Sequence, residues 1–130
     1  MFNKMLGTAA IMMMSAGAVS AESHITGDAE AGEKVFRKCM ACHAVGEDAK
    51  NKVGPVLNGI VDRDIASVED FSYSDALMEK GEAGEVWTVE NLAAFLEKPR
   101  DWAKGTKMSF AGLRKEEDRN DVIAYLATFE

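Results

Sequence analysis

The sequence is poor in the residues that would make its fold easy to guess. It has two cysteines, two prolines, two histidines, two tryptophans and two tyrosines among 130 residues. Two cysteines make at most one disulfide, so a disulfide-rich scaffold is excluded. Two prolines and 11 glycines exclude collagen-like and proline-rich architectures. Cations are in deficit: 15 Lys and Arg against 22 Asp and Glu give a net charge of −7. That acidity argues against a general nucleic-acid binder, which needs a basic surface. No sustained alternation of apolar and polar residues marks a strand, and no repeat, linker or second domain is visible. What remains, 47% hydrophobic and 28% charged residues in a chain of this length, suits one modest globular domain.

The start of the chain differs from the rest. Met1 to Lys4 carries one cation, Met5 to Ala21 carries none, and the stretch ends Ala18-Val19-Ser20-Ala21. This is the layout of a secretory signal peptide, with cleavage expected after Ala21. An uncleaved anchor is the weaker reading, because the apolar stretch is short and diluted with Gly, Ser, Thr and Ala. The run Met12-Met13-Met14 is no better as a soft-metal site, since such sites need convergent ligands rather than consecutive ones. The expected organisation is therefore a signal peptide over 1–21 and a single domain over 22–130. Removing Lys4 with that segment leaves a net charge of −8. Export places the domain in an extracytoplasmic, thiol-oxidising compartment, where a free cysteine pair would be unusual.

In the exported part, Asp28 is a good N-cap and residues 29–41 read as a helix. Residues 45–72 read mostly as loop. Ser74 to Lys80 reads as a short helix stopped by Gly81. Thr88 caps a helix with Leu92, Phe95 and Leu96 on one face, ending near Lys98-Pro99. Residues 102–112 read as loop, and Lys115 to Phe129 as the last helix, with Val122, Ile123, Leu126 and Ala127 in register. The predicted class is all-α, with short helices and long loops. Loops this long in a small domain imply function, and so little regular structure leaves the core short unless a bound group completes it.

The chemistry is concentrated at Cys39-Met40-Ala41-Cys42-His43. Cysteines at i and i+3 project to one side, so Cys39 and Cys42 are placed to add across the two vinyl groups of one haem, and His43 to ligate its iron. Three rivals explain less. A thioredoxin-like pair would open a helix after a strand, whereas this one closes a helix. Zinc would require His24, in a polar arm, as fourth ligand. A plain disulfide explains neither His43 nor the loops. For the sixth iron position His24 is poorly placed, Met40 is occupied within the motif, and Met78 sits at helical spacing. Met108, in Gly105-Thr106-Lys107-Met108-Ser109-Phe110, is left as the axial thioether, a ligand that raises the potential and leaves no place for substrate. A haem enzyme or ligand sensor with a labile Met108 is the second reading, and a thiol–disulfide or zinc module the third.

Several motifs in order resemble a known family. They are Gly27-Asp28 with Gly32 and Phe36, the pentapeptide at 39–43, Val53-Gly54-Pro55-Val56-Leu57, Phe71-Ser72-Tyr73-Ser74-Asp75-Ala76, Gly105-Thr106-Lys107-Met108, Phe110-Ala111-Gly112 and Ile123-Ala124-Tyr125-Leu126. From Gly27 to Glu130 the chain resembles a class I cytochrome c of the bacterial periplasmic type close to mitochondrial cytochrome c. The resemblance implies one covalent haem c on Cys39 and Cys42, with His43 and Met108 as axial ligands. It implies that the Pro55 carbonyl accepts the other N–H of His43. It assigns Arg63, Tyr73, Trp87 and Thr106 to the haem propionates, and Gly32, Phe36 and Tyr125 to the crossing of the first and last helices. It also shows departures. Phe95 replaces a Tyr that reaches the methionine sulfur, Lys104 replaces the Pro before the Met108 motif, Leu77 replaces an Asn, and residues 81–86 form a longer stretch.

Charge is segregated along the chain. Lys34, Arg37, Lys38, Lys50 and Lys52 outweigh two anions in residues 34–56, and Lys98, Arg100, Lys104, Lys107, Arg114 and Lys115 outweigh two in residues 95–115. Residues 62–90 carry net −7. A basic face on an acidic body steers docking onto acidic partners, and the resemblance assigns this role to Lys38, Lys52, Arg100, Lys107, Arg114 and Lys115. The expected function is a soluble, monomeric one-electron carrier with no small-molecule substrate and no nucleic-acid partner. It would work between a quinol:cytochrome c oxidoreductase and a terminal oxidase, reductase or reaction centre.

Overall fold

The computed structural model describes residues 25–130; the signal-peptide reading and His24 lie outside them. Five helices run in the order α1 (Ala29–Phe36), α2 (Asp75–Glu82), α3 (Val89–Glu97), α4 (Pro99–Trp102) and α5 (Glu116–Leu126). Among the described residues the only ladder-type pairing is an isolated antiparallel bridge between Asp64 and Val86.

Local chemistry explains most of the helix starts. The Asp28 carboxylate accepts from the Glu30 and Ala31 amides at 2.8 and 3.4 Å. Ser74 Oγ accepts from Leu77 N at 3.4 Å and Thr88 Oγ1 from Asn91 N at 3.0 Å. Each side chain satisfies an amide that the first helical turn leaves without a partner. Helix α5 lacks a side-chain cap, but Glu116, Glu117 and Asp118 fill its first turn, where the helix dipole favours anions.

Four boundaries differ from the sequence reading. Helix α1 stops at Phe36, not 41, because the chain tightens into i→i+3 bonds: Lys38 N to Val35 O at 3.1 Å and Cys39 N to Phe36 O at 2.8 Å. Gly81 does not stop α2. The helix passes through it to Glu82, with Ala83 as its C-cap, followed by Gly84 with φ +81°. At Gly81 a side chain would strike the Ile65 carbonyl, so this glycine serves close packing, not termination. The helix capped by Thr88 ends at Glu97, close to the Lys98-Pro99 stop read from the sequence, and Pro99 then opens an additional one-turn helix, α4, its missing N–H costing nothing at that position. The last helix covers 116–126, shorter at both ends than the periodicity suggested.

The framework is the crossing of α1 and α5. A Cβ on Gly32 would run into the Asp121 carbonyl and lie 2.8 Å from Tyr125 Cβ, so glycine lets the two backbones touch. Phe36 then packs on Tyr125 with ring centroids 5.4 Å apart. Asp121, buried, accepts from Asp28 N at 2.8 Å, tying the start of α1 to α5. Behind this crossing Phe36, Ile60, Ile65, Trp87, Leu92, Phe95, Leu113, Val122, Ile123 and Leu126 form one apolar core.

Candidate functional site

A cavity of about 220 Å³ opens into the core, bounded by the segment after α1, the loops before α2, helices α2, α3 and α5, and the 106–110 loop. Its walls include Phe36, Leu57, Ile60, Leu77, Leu92, Phe95, Leu96, Val122 and Leu126. An apolar cavity set into the core of a ~100-residue domain suits an apolar group.

The residues singled out in the sequence gather here. Cys39, Cys42, His43, Pro55, Arg63, Tyr73, Trp87, Thr106 and Met108 all line this cavity. The two cysteines do not sit on α1 itself. Cys42 N and His43 N both donate to Cys39 O, at 3.1 and 2.9 Å, in a turn beyond the helix. A tight i→i+3 turn still stacks residues three apart, so the inference that both thiols face one way survives the loss of the helix that suggested it. The two form no disulfide with each other, and burial, then the neighbouring Cys42, pushes the Cys39 thiol up from its ordinary value.

His43 is held by its other nitrogen. Nδ1 lies 2.8 Å from Pro55 O, the geometry of an Nδ1–H donor, which leaves the Nε2 lone pair available. Burial lowers the His43 pKa, and the Pro55 bond opposes this in part. Gly54 explains why the ring fits: a Cβ there would meet His43 Cε1 and lie 2.7 Å from Nδ1. Met108 is half-buried on the loop after α4, its amide donating to Thr106 Oγ1 at 3.3 Å. Met40 is 53% exposed and Met78 41% exposed, so neither thioether competes with it as a cavity ligand.

Arg63 is the most telling polar group. Its Nη1 donates to Asn58 O at 2.9 Å and Val56 O at 3.3 Å, while its buried Nε has no partner. A buried guanidinium nitrogen left alone is costly, and an anionic group in the cavity would satisfy it. Burial lowers the Arg63 pKa, with Tyr73 opposing. Tyr73 Oη accepts from Val68 N at 3.0 Å, and burial raises its pKa. The site therefore fits an apolar macrocycle bearing carboxylates: apolar walls, two thiols on one side, an imidazole and a thioether as soft donors, and an unpaired cation. It fits zinc poorly, since no group of three or more His, Cys, Asp or Glu among the described residues is placed to hold a metal ion.

Of the six proposed docking cations, Lys38 and Lys107 border the cavity, whereas Lys52, Arg100, Arg114 and Lys115 are exposed away from its lining. Two are engaged internally: Lys52 Nζ donates to Met40 O at 2.8 Å, and Lys107 Nζ to Ser72 O and Oγ at 3.3 and 3.0 Å. Sequence reasoning gave no site role to Phe71, which lines the cavity and packs edge-on against Tyr73 at 4.9 Å, or to the Asn51 amide that accepts from Val56 N at 2.9 Å. An Asn in a Gly- and Pro-rich loop was the available signal for the latter. Phe71 stood only within the quoted Phe71–Ala76 motif.

Comparison with known proteins gives a consistent picture. A family model described as cytochrome c matches residues 29–130. The chain is 57% identical over 98 residues to cytochrome c-550 of Ancylobacter novellus, covering 75% of this chain and 92% of that protein. It is 52% identical over 100 residues to cytochrome c2 of Afifella marina, covering 77% and 81%. Among solved structures, cytochrome c2 from Rhodospirillum centenum superposes with a TM-score of 0.74 at 47% identity, over 80% of this chain and 99% of that one.

Proposed function

The chain belongs to the cytochrome c family, and from that premise we propose that it shuttles single electrons between membrane redox complexes, from a quinol-oxidising complex to a terminal oxidase, reductase or reaction centre. Family membership makes it an electron carrier and not an enzyme, with one covalently bound haem c. Bound haem supplies an iron that alternates between ferrous and ferric states.

The chain's own residues do the rest. Cys39 and Cys42 anchor the group as thioethers. His43, oriented by Pro55, and Met108 would ligate the iron. Persistent ligands keep reorganisation on electron transfer small, and the thioether favours the reduced state. Arg63, Tyr73, Trp87 and Thr106 receive the propionates, Arg63 Nε being the donor without another partner. The apolar walls keep water from the iron. Lys38, Lys52, Arg100, Lys107, Arg114 and Lys115 orient the protein on acidic surfaces of its partners. The carrier works as a soluble monomer in the periplasm, after cleavage of residues 1–21. No helix among the described residues is long and apolar enough to cross a membrane.

The observation that carries this reading is the convergence of Cys39, Cys42, His43 and Met108 on one apolar cavity. The test is visible spectroscopy of the purified exported protein. The expected result is a six-coordinate ferrous spectrum with haem that stays on the chain after denaturation. Haem that extracts into organic solvent, or a ferrous form that binds carbon monoxide at once, would refute it.

A further inference from the structure

Helix α4 is one turn long and begins without a side-chain cap. An isolated turn of this length does not hold itself together, because nucleation costs more than one turn returns. Yet α4 is the stem of the loop that presents Met108: Ala103 N donates to Pro99 O at 2.9 Å, and Thr106 N to Ala103 O at 3.0 Å. Lys104 in that stem supplies no proline rigidity. Something outside the turn must fix it.

Two side chains of α4 do so. Pro99 is buried, and Trp102 stacks on Trp87 at 5.4 Å with an interplanar angle of 29°. Trp87 and Phe95 line the cavity, whereas Trp102 stands behind them. Against the Trp102 ring sits Lys80 Nζ from the last turn of α2, 4.1 Å from the centroid. Lys80 also faces Glu85 at 3.8 Å, on the chain that returns from α2 toward Trp87. The order is cation, outer indole, inner indole, cavity. The cation thus joins α2 to the stem of the Met108 loop from the side away from the iron.

We propose that the Lys80–Trp102 contact is a positioning clamp that keeps the α4 stem docked and so limits how often Met108 leaves the cavity. The proposal rests on Met108 as the sixth ligand. A cation over an indole at a half-exposed site contributes enough to change an opening equilibrium about two- to fivefold.

The test uses ferric holoprotein at pH 7 with imidazole as probe. Imidazole takes the sixth position only when Met108 is away, so its apparent affinity follows the open population. Lys80→Gln should tighten imidazole binding about two- to fivefold, and Lys80→Arg should restore it. Amide exchange at Ala103 and Thr106 should accelerate by the same factor in Lys80→Gln, a readout independent of any iron ligand. In a Met108→Ala background, Lys80→Gln should have no effect on imidazole. Unchanged imidazole affinity and exchange in Lys80→Gln would overturn the clamp, as would an effect that persists without Met108. If Met108→Ala alone leaves imidazole binding unchanged, the ligand assignment fails instead, and the exchange rates still decide whether Lys80 holds the stem.

Discussion

Replacing Gly32 by alanine tests the geometry on which the fold depends. The new Cβ would run into the Asp121 carbonyl oxygen, lie 2.5 Å from its carbon and 2.8 Å from Tyr125 Cβ. Carbon atoms pack at ~3.5 Å, so α1 and α5 must part by about 1 Å. The Asp28 N–Asp121 bond, now 2.8 Å, would then exceed hydrogen-bonding range, and the Phe36–Tyr125 contact would loosen. Overpacking of this kind costs about 1–3 kcal/mol. Losing a bond to a buried carboxylate adds about 1.5 kcal/mol. Alanine returns about 1 kcal/mol of helix propensity. The expected net destabilisation is about 1.5–3.5 kcal/mol, a large part of the ~5–15 kcal/mol that holds a domain together. Guanidinium unfolding of the holoprotein, followed by circular dichroism, reads it directly, with Glu33→Ala as a surface control on the same helix. A Gly32→Ala protein as stable as wild type, or more stable by the propensity gain, would refute the close-approach argument.

Other predictions follow from the cavity and its rim. Met108→Ala should lower the midpoint potential and let ferrous protein bind carbon monoxide; if neither changes in potentiometric and spectral titration, Met108 is not the ligand. Gly54→Ala pushes a methyl group into the His43 ring and should destabilise the holoprotein by about 1–3 kcal/mol in denaturant unfolding. Thr88→Ala removes the bond to Asn91 N and should cost ~1 kcal/mol by the same measurement. Electron-transfer rates with membrane partners should fall about tenfold or more between low and physiological salt if the basic rim steers docking; a flat stopped-flow response would remove that role.

Elements with a local cause were legible. Asp28, Ser74 and Thr88 each mark a helix start by their own side chains, and the structure has helices beginning at the next residue in all three cases. Ends were harder to read. Gly81 resembles a stop signal but lies inside α2, because a tertiary contact with Ile65 claims it, while the positive φ falls at Gly84. Likewise the Val35–Cys39 stretch has no breaker, and only the bonding of the closed turn shows where α1 ends. Lys52 and Lys107 read as docking cations, yet both also donate to backbone oxygens of other segments, Met40 and Ser72.

The sequence by itself determined the chemistry. C-x-x-C-H is a set of chemical identities at fixed spacing that needs no folding to recognise; Met108 followed by elimination among the methionines, and the Pro55 carbonyl followed only from the family resemblance. It also determined that the core would be incomplete, since long loops and short helices cannot bury enough apolar surface alone. Only the tertiary structure decided that Met108, sixty-five residues from His43, borders the same cavity, that Arg63 Nε is buried without a partner, and that Lys80 lies on Trp102. Each of these depends on where chain segments cross. Crossings are set by packing volumes, such as the missing side chain of Gly32, and these act only once the helices meet.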